Sequence, residues 1–132
     1  MIKVTPVELV GADERGSNHV WSSDRTGEMI LCYRKAGSSS GQHYHEGKSA
    51  HKNPEILYLL TGEASIHWCP LGGDSIQTIR AIAPARIEVP ILVWHQLVAD
   101  TDCCFIEMNS MDDVRKDSVR IWRDEFEKMI NK

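Results

Sequence analysis

The chain has 132 residues, 42% of them hydrophobic and 26% charged. That is enough for one compact domain with a buried core, too few for two ordinary domains, and too apolar for disorder as the default. The net charge is −4, from 15 basic and 19 acidic residues, so the basic face that nucleic-acid phosphates require is not expected.

The N-terminus, Met1 to Glu8, lacks the apolar stretch and the small-residue cleavage site of a signal peptide. No segment approaches the roughly 20 apolar residues needed to span a bilayer. A cytoplasmic protein with no membrane partner is the expectation.

In chain order, Glu28 to Lys35 is a short apolar run that reads as the first strand of a barrel core. Gly37 to Gly41 is a small polar loop, and His43-Tyr44-His45 follows it. Glu55 to Leu60 is a second strand. Glu63 to Cys69 alternates, with Ala64, Ile66 and Trp68 against Glu63, Ser65 and His67, and so predicts a half-buried strand with His67 turned from the core. Leu71-Gly72-Gly73-Asp74 is a hairpin turn, where glycine supplies positive φ. Ser75 to Ala83, Arg86 to Val89, Leu92 to Ala99 and Cys103 to Asn109 complete the series. Pro84 and Pro90 punctuate it at strand starts or edges, where a missing N–H is tolerated.

A helical period appears only at the end. Val114, Ile121, Trp122, Phe126, Met129 and Ile130 form an uneven stripe between Asp112 and Asn131. It predicts one terminal helix packed on the barrel exterior, with Ser110 as N-cap and Asp113 three residues on. Short strands at this density imply an all-β sandwich or barrel. The four cysteines Cys32, Cys69, Cys103 and Cys104 contain no C-x-x-C pair and read as free thiols.

The chemistry lies in the histidines and one glutamate. Residues i and i+2 of a strand share a face, so His43 and His45 present two imidazoles to one point. If the strand of Glu55 pairs antiparallel with theirs, its carboxylate reaches the same point, and His95 comes from a strand far along the chain. Three neutral nitrogens and a carboxylate suit Fe(II), Mn(II), Ni(II), Co(II) or Zn(II). Arg34, Arg80 and Arg86 are of a type usually solvated, but one turned inward would grip a carboxylate or phosphate.

These residues resemble the two sequence motifs of the cupin family. Gly37, five residues, His43, one residue and His45 match the front of the first motif. Glu55, six residues and Gly62 match its back. Nine residues separate His45 from Glu55, where the family has three or four. Of the second motif, Pro90 and His95 remain. Leu92 stands for a glycine, Pro84 for the leading glycine and Ala99 for the final asparagine. The His-Tyr-His stretch followed by Lys48 is also similar to sugar-modifying cupins, among them the barrel domain of capsular-sugar reductases.

The resemblance implies a double-stranded β-helix, the cupin jelly-roll barrel, over about residues 28–109, with one C-terminal α-helix over about 111–131. It implies one divalent transition metal (Zn, Fe, Mn or Ni) held by His43, His45, Glu55 and His95, a small-molecule ligand or substrate, and a homodimer. With iron the open positions would serve dioxygenation. With zinc, manganese or nickel they would serve isomerisation or epimerisation of a keto sugar, with His51, Tyr58 or Tyr33 as candidate base. A non-catalytic small-ligand module is the alternative, since one fold hosts many chemistries. The 46–54 segment reads either as a lid, with His51 as a further polar group or ligand, or as a surface loop with an idle histidine.

Overall fold

The computed structural model describes residues 1–131. Its elements, in order, are β1 (Lys3–Pro6), β2 (Glu8–Asp13), β3 (Gly16–Val20), β4 (Ile30–Arg34), β5 (Ser39–Tyr44), β6 (Glu55–Thr61) and β7 (Glu63–Pro70). There follow β8 (Gln77–Ile82), β9 (Ala85–Val89), β10 (Val93–Ala99), β11 (Cys103–Glu107), α1 (Met111–Lys116), β12 (Val119–Arg120) and α2 (Arg123–Ile130). The strands expected from residue 28 onward are present within a few residues of their predicted bounds.

Two five-stranded antiparallel sheets face each other. One runs β1-β9-β6-β11-β4 and the other β12-β5-β10-β7-β8. Apart from the β7–β8 hairpin, neighbours within each of these sheets are not consecutive in the chain, so successive strands from β4 onward repeatedly cross between sheets, as in a jelly roll. The core lies between them: Leu57, Leu59, Ile87, Val89 and Phe105 from one sheet meet Ala64, Ile66, Val93, Leu97 and Ala99 from the other. β2 and β3 form a separate hairpin.

Two strands are buried on both faces, and each has a physical reason. Along β6, Leu57 and Leu59 point into the core, while Ile56 and Tyr58 point outward under Val7 and Met108. Trp21 stacks on Tyr58 with ring centroids 4.6 Å apart. Along β10, Trp94 points outward and stacks on Phe126 of α2, at 4.7 Å and an interplanar angle of 6°. The Trp94 indole N–H donates to the Ile121 carbonyl at 2.8 Å.

The C-terminal segment departs from the single predicted helix. It is two short helices separated by a two-residue strand. Ser110 caps α1 in a capping box with Asp113, as the sequence suggests. The helix then stops at Asp117, whose buried carboxylate accepts from the backbone N–H groups of Glu46, Gly47 and Ser49. Val119 and Arg120 pair with Tyr44 and His43 at the edge of the second sheet. Tertiary partners for the backbone and for Asp117 thus outweigh helical continuity.

The N-terminus also holds more structure than expected. β1 lies beside β9, with Lys3 opposite Glu88 and Val4 opposite Ile87, and Ile2 is buried. Among the described residues no helix is long and apolar enough to cross a membrane.

Candidate metal centre

His43, His45, Glu55 and His95 converge at one end of the space between the sheets. Their nearest donor atoms all lie within 4.8 Å of one another. The three imidazole centroids are 4.8 to 5.0 Å apart. Metal–nitrogen and metal–oxygen bonds of about 2.1 Å place donors at most about 4.2 Å apart, so the outermost pair needs to close by only about half an ångström.

One expectation about the route to this convergence is corrected. Glu55 does not pair with the His-x-His strand. β6 belongs to the first sheet, between β9 and β11, whereas β5 pairs with β10 and β12 in the second. The carboxylate therefore approaches across the interior from the facing sheet. His43 and His95 are direct cross-strand partners.

A bulge sets the phase of β5. His95 pairs with His43 and Gln96 pairs with Gly41, leaving Gln42 as the extra residue. Gly41 has φ +87°, and a Cβ there would stand 3.0 Å from the His95 carbonyl oxygen. The close approach and positive φ together require glycine. Gln42 also has positive φ, and its side-chain oxygen accepts from the Arg123 backbone N–H at the start of α2.

The tautomers of two histidines follow from their partners. His45 Nδ1 donates to the Asp117 carbonyl at 2.5 Å, and His95 Nδ1 donates to the Val93 carbonyl at 2.9 Å. The neutral ring in each case presents Nε2 to the centre as an acceptor. Both Nε2 atoms are buried without a hydrogen-bond partner, and each lies 3.4 Å from Glu55 Oε1. Orphaned buried acceptors facing a carboxylate oxygen are what a cation between them would satisfy. Burial, aided by the neighbouring His95, pushes the His43 imidazole down to about 2, so this ring is neutral. Burial alone would raise Glu55, but the Lys52 ammonium holds it well below the usual carboxylate range. The donor set fits a divalent transition ion.

Lys52 was not singled out in the sequence. It is fully buried and ion-paired with Glu55 Oε2. The 46–54 segment delivers it, anchored by Asp117 and by a Lys52 N–H to Ser49 carbonyl bond of 3.0 Å. These bonds tie the segment to the rest of the chain.

A cavity of about 160 Å³ opens on the cluster, lined by Arg34, Ser40, His43, Glu55, His95 and Glu107 with apolar Leu57, Leu97 and Phe105. Larger hollows, about 480 Å³ at the β2–β3 hairpin and about 610 Å³ beside Tyr33 and Cys104, contain no comparable set of converging ligand atoms. Arg34 is the inward-turned arginine. Its Nε donates to Ser40 at 2.7 Å, and its guanidinium lies 5.5 Å from the Phe105 ring centroid. Arg80 instead pairs with Glu63 and Asp100, and Arg86 with Glu88. Burial, reinforced by Glu55, pushes Glu107 upward, and Cys32 Sγ lies 3.6 Å from its Oε2.

The three candidate bases do not reach this cavity. His51 Nδ1 faces Asp113 Oδ2 at 3.8 Å in a separate polar hollow. Tyr58 lies on the outer face of β6 under Trp21. Tyr33 is 73% exposed. Strand alternation put Tyr58 on the opposite face from Glu55 and Leu57, a signal present in the sequence.

No family model matches the chain, and no curated protein matches it. Solved structures do. QdtA, a sugar 3,4-ketoisomerase from Thermoanaerobacterium thermosaccharolyticum in complex with TDP, aligns over 98% of this chain and 94% of its own, with TM-score 0.69 and 16% identity. The dTDP-4-dehydrorhamnose 3,5-epimerase from Sulfolobus tokodaii aligns over 94% and 78%, with TM-score 0.69 and 14% identity. The fold shared with these structures is a jelly-roll barrel. The capsular polysaccharide assembling protein CapF from Staphylococcus aureus shares it over 89% of this chain and 34% of its own, with TM-score 0.59 and 22% identity. At these identities the likeness is one of fold, and the chemistry rests on this chain's own side chains.

Proposed function

We propose that the protein is a metal-dependent enzyme that isomerises or epimerises a small keto sugar or a related hydroxy-carbonyl compound. The observation that carries the metal is the pair of buried, unpartnered Nε2 atoms of His45 and His95 facing Glu55 Oε1. The isomerase reading is supported by the shared fold with proteins described as a sugar ketoisomerase and an epimerase.

His43, His45, Glu55 and His95 would hold the ion, which would act as a Lewis acid on a substrate carbonyl. Four protein donors leave positions free on a five- or six-coordinate ion. Arg34, fixed by Ser40 and Phe105, would orient an anionic or hydroxyl group of the substrate. Glu107 replaces His51 and Tyr58 as the proposed base. As a carboxylate it takes the proton from the carbon beside the carbonyl. For isomerisation it returns that proton, as the acid, to the neighbouring carbon on the same face, while the hydroxyl proton passes to the former carbonyl oxygen. For epimerisation water gives the proton on the opposite face and Glu107 releases its own to the resulting hydroxide. Its upward displacement suits both halves of the transfer.

A donor set of three imidazoles and one carboxylate also suits Fe(II), so dioxygenation is the second reading. Metal analysis of protein purified without chelators tests both. Zinc, manganese or nickel with no O₂ consumption supports the isomerase. Iron with substrate-dependent O₂ uptake moves the assignment to a dioxygenase. A well-folded preparation that takes up no divalent metal refutes both.

A further inference from the structure

Lys52 is buried completely next to the proposed ligand Glu55. A buried lysine is costly, and a well-packed apolar residue of similar volume is commonly tolerated as well or better. Here the chain holds that charge in place with a structured segment. Ser49 accepts the Lys52 backbone N–H, Asp117 accepts three N–H groups from the same segment, and Lys52 forms a backbone bridge with Glu55. The two oxygens of Glu55 are thereby divided: Oε1 faces His45 and His95, and Oε2 is taken by Lys52.

The charges around the cavity then balance in pairs. Lys52 offsets Glu55, and Arg34 offsets Glu107, which lines the same cavity. Imidazoles ligate a metal in their neutral form, so as ligands the three contribute no formal charge. The 2+ of a bound ion is left uncompensated by the protein, in a site where water screening is weak.

We infer that Lys52 is a positioning residue that confines Glu55 to single-oxygen ligation and cancels its charge, so that the centre selects small anionic ligands over neutral ones. The substrate class is narrowed accordingly: a carboxylate or a deprotonated hydroxy-carbonyl group binds in preference to an uncharged donor. This rests on the metal-centre reading above.

The test uses Co(II) as the metal and two small probes, azide (anionic) and imidazole (neutral), titrated at pH 8 and read by the visible spectrum of the Co(II) protein. The wild type should bind azide more tightly than imidazole. Lys52→Met should lower the azide-to-imidazole affinity ratio by about tenfold or more, as expected for one buried unit charge nearby. It should also change the Co(II) absorption as Glu55 gains a second free oxygen. Lys52→Arg should restore the ratio toward wild type. Because the ratio is taken within one protein, differences in metal loading cancel. A Lys52→Met ratio equal to wild type overturns the inference. Should that variant fail to fold, wild-type protein that prefers imidazole overturns it equally. Wild type that takes up no Co(II) sinks the metal-centre reading itself, whereas uptake with an unchanged ratio sinks only the role of Lys52.

Discussion

Asp117 holds His45 from behind: its carbonyl accepts from His45 Nδ1, while its carboxylate gathers the N–H groups of Glu46, Gly47 and Ser49. One residue between the two short terminal helices thus fixes a ligand's tautomer and the support of Lys52. Asp117→Asn should cost about 1.5–3 kcal/mol, the range for hydrogen bonds to a charged group, measured by urea unfolding. The acid dependence follows from the sign of the shift. Burial raises the Asp117 carboxyl, but the N–H groups of Glu46 and Ser49 hold it below its usual 3.8. Its contribution is therefore present above pH ~4 and is lost as pH falls through the lower folded value. The variant should lack that component of acid unfolding; identical acid profiles would refute it.

His43→Ala and His45→Ala should each weaken Zn(II) or Co(II) binding by more than the roughly 10–100-fold typical of outer supporting residues. Equilibrium dialysis against a competing chelator measures this. Asp117→Asn should fall within that outer range, because its backbone carbonyl is retained. Removal of metal by a chelator should lower wild-type stability by about 2.7 kcal/mol relative to protein held at a hundredfold excess of metal over Kd. Full retention of metal in both histidine variants would overturn the ligand assignment.

Glu107→Gln should abolish turnover while leaving Co(II) uptake within a few-fold of wild type. In the wild type, kcat/KM should rise with pH through the ionisation of Glu107, whose burial beside Glu55 moves it above the ordinary 4.5. The direction follows because a base must be deprotonated to act. A variant with wild-type turnover and the same acid limb would remove Glu107 from the reaction.

Much of this cluster is legible in the sequence. The i, i+2 spacing of His43 and His45 and the alternation along β7 are local properties of one strand, and local properties survive folding unchanged. Glu55 was found for a partly mistaken reason, since sheet membership depends on non-local pairing that spacing does not encode. Lys52 and Asp117 were missed because nothing in their neighbourhoods marks a buried charge. A lysine in a polar segment and an aspartate inside a stretch of helical period both read as solvated, and only the tertiary partner of each reveals the burial. His51 and Tyr58 lie away from the cavity by direction: one side chain turns toward Asp113 and the other lies on the outer face of its strand.

The terminal helix is the last element whose role can be checked. α2 presents one buried side chain, Phe126, and places it flat on Trp94, the residue before His95. Phe126→Ala removes a large aromatic from a closed contact and should cost roughly 3–5 kcal/mol. Trp94 and His95 alternate across β10, so loosening the outer face should also relax the strand that carries the ligand. The expected second effect is weaker metal binding, smaller than for any ligand variant, together with increased amide exchange along β10. Phe126→Leu keeps most of the apolar volume and should recover most of the stability. If Phe126→Ala loses stability without any change in metal affinity or in β10 exchange, α2 covers the barrel but does not brace the centre.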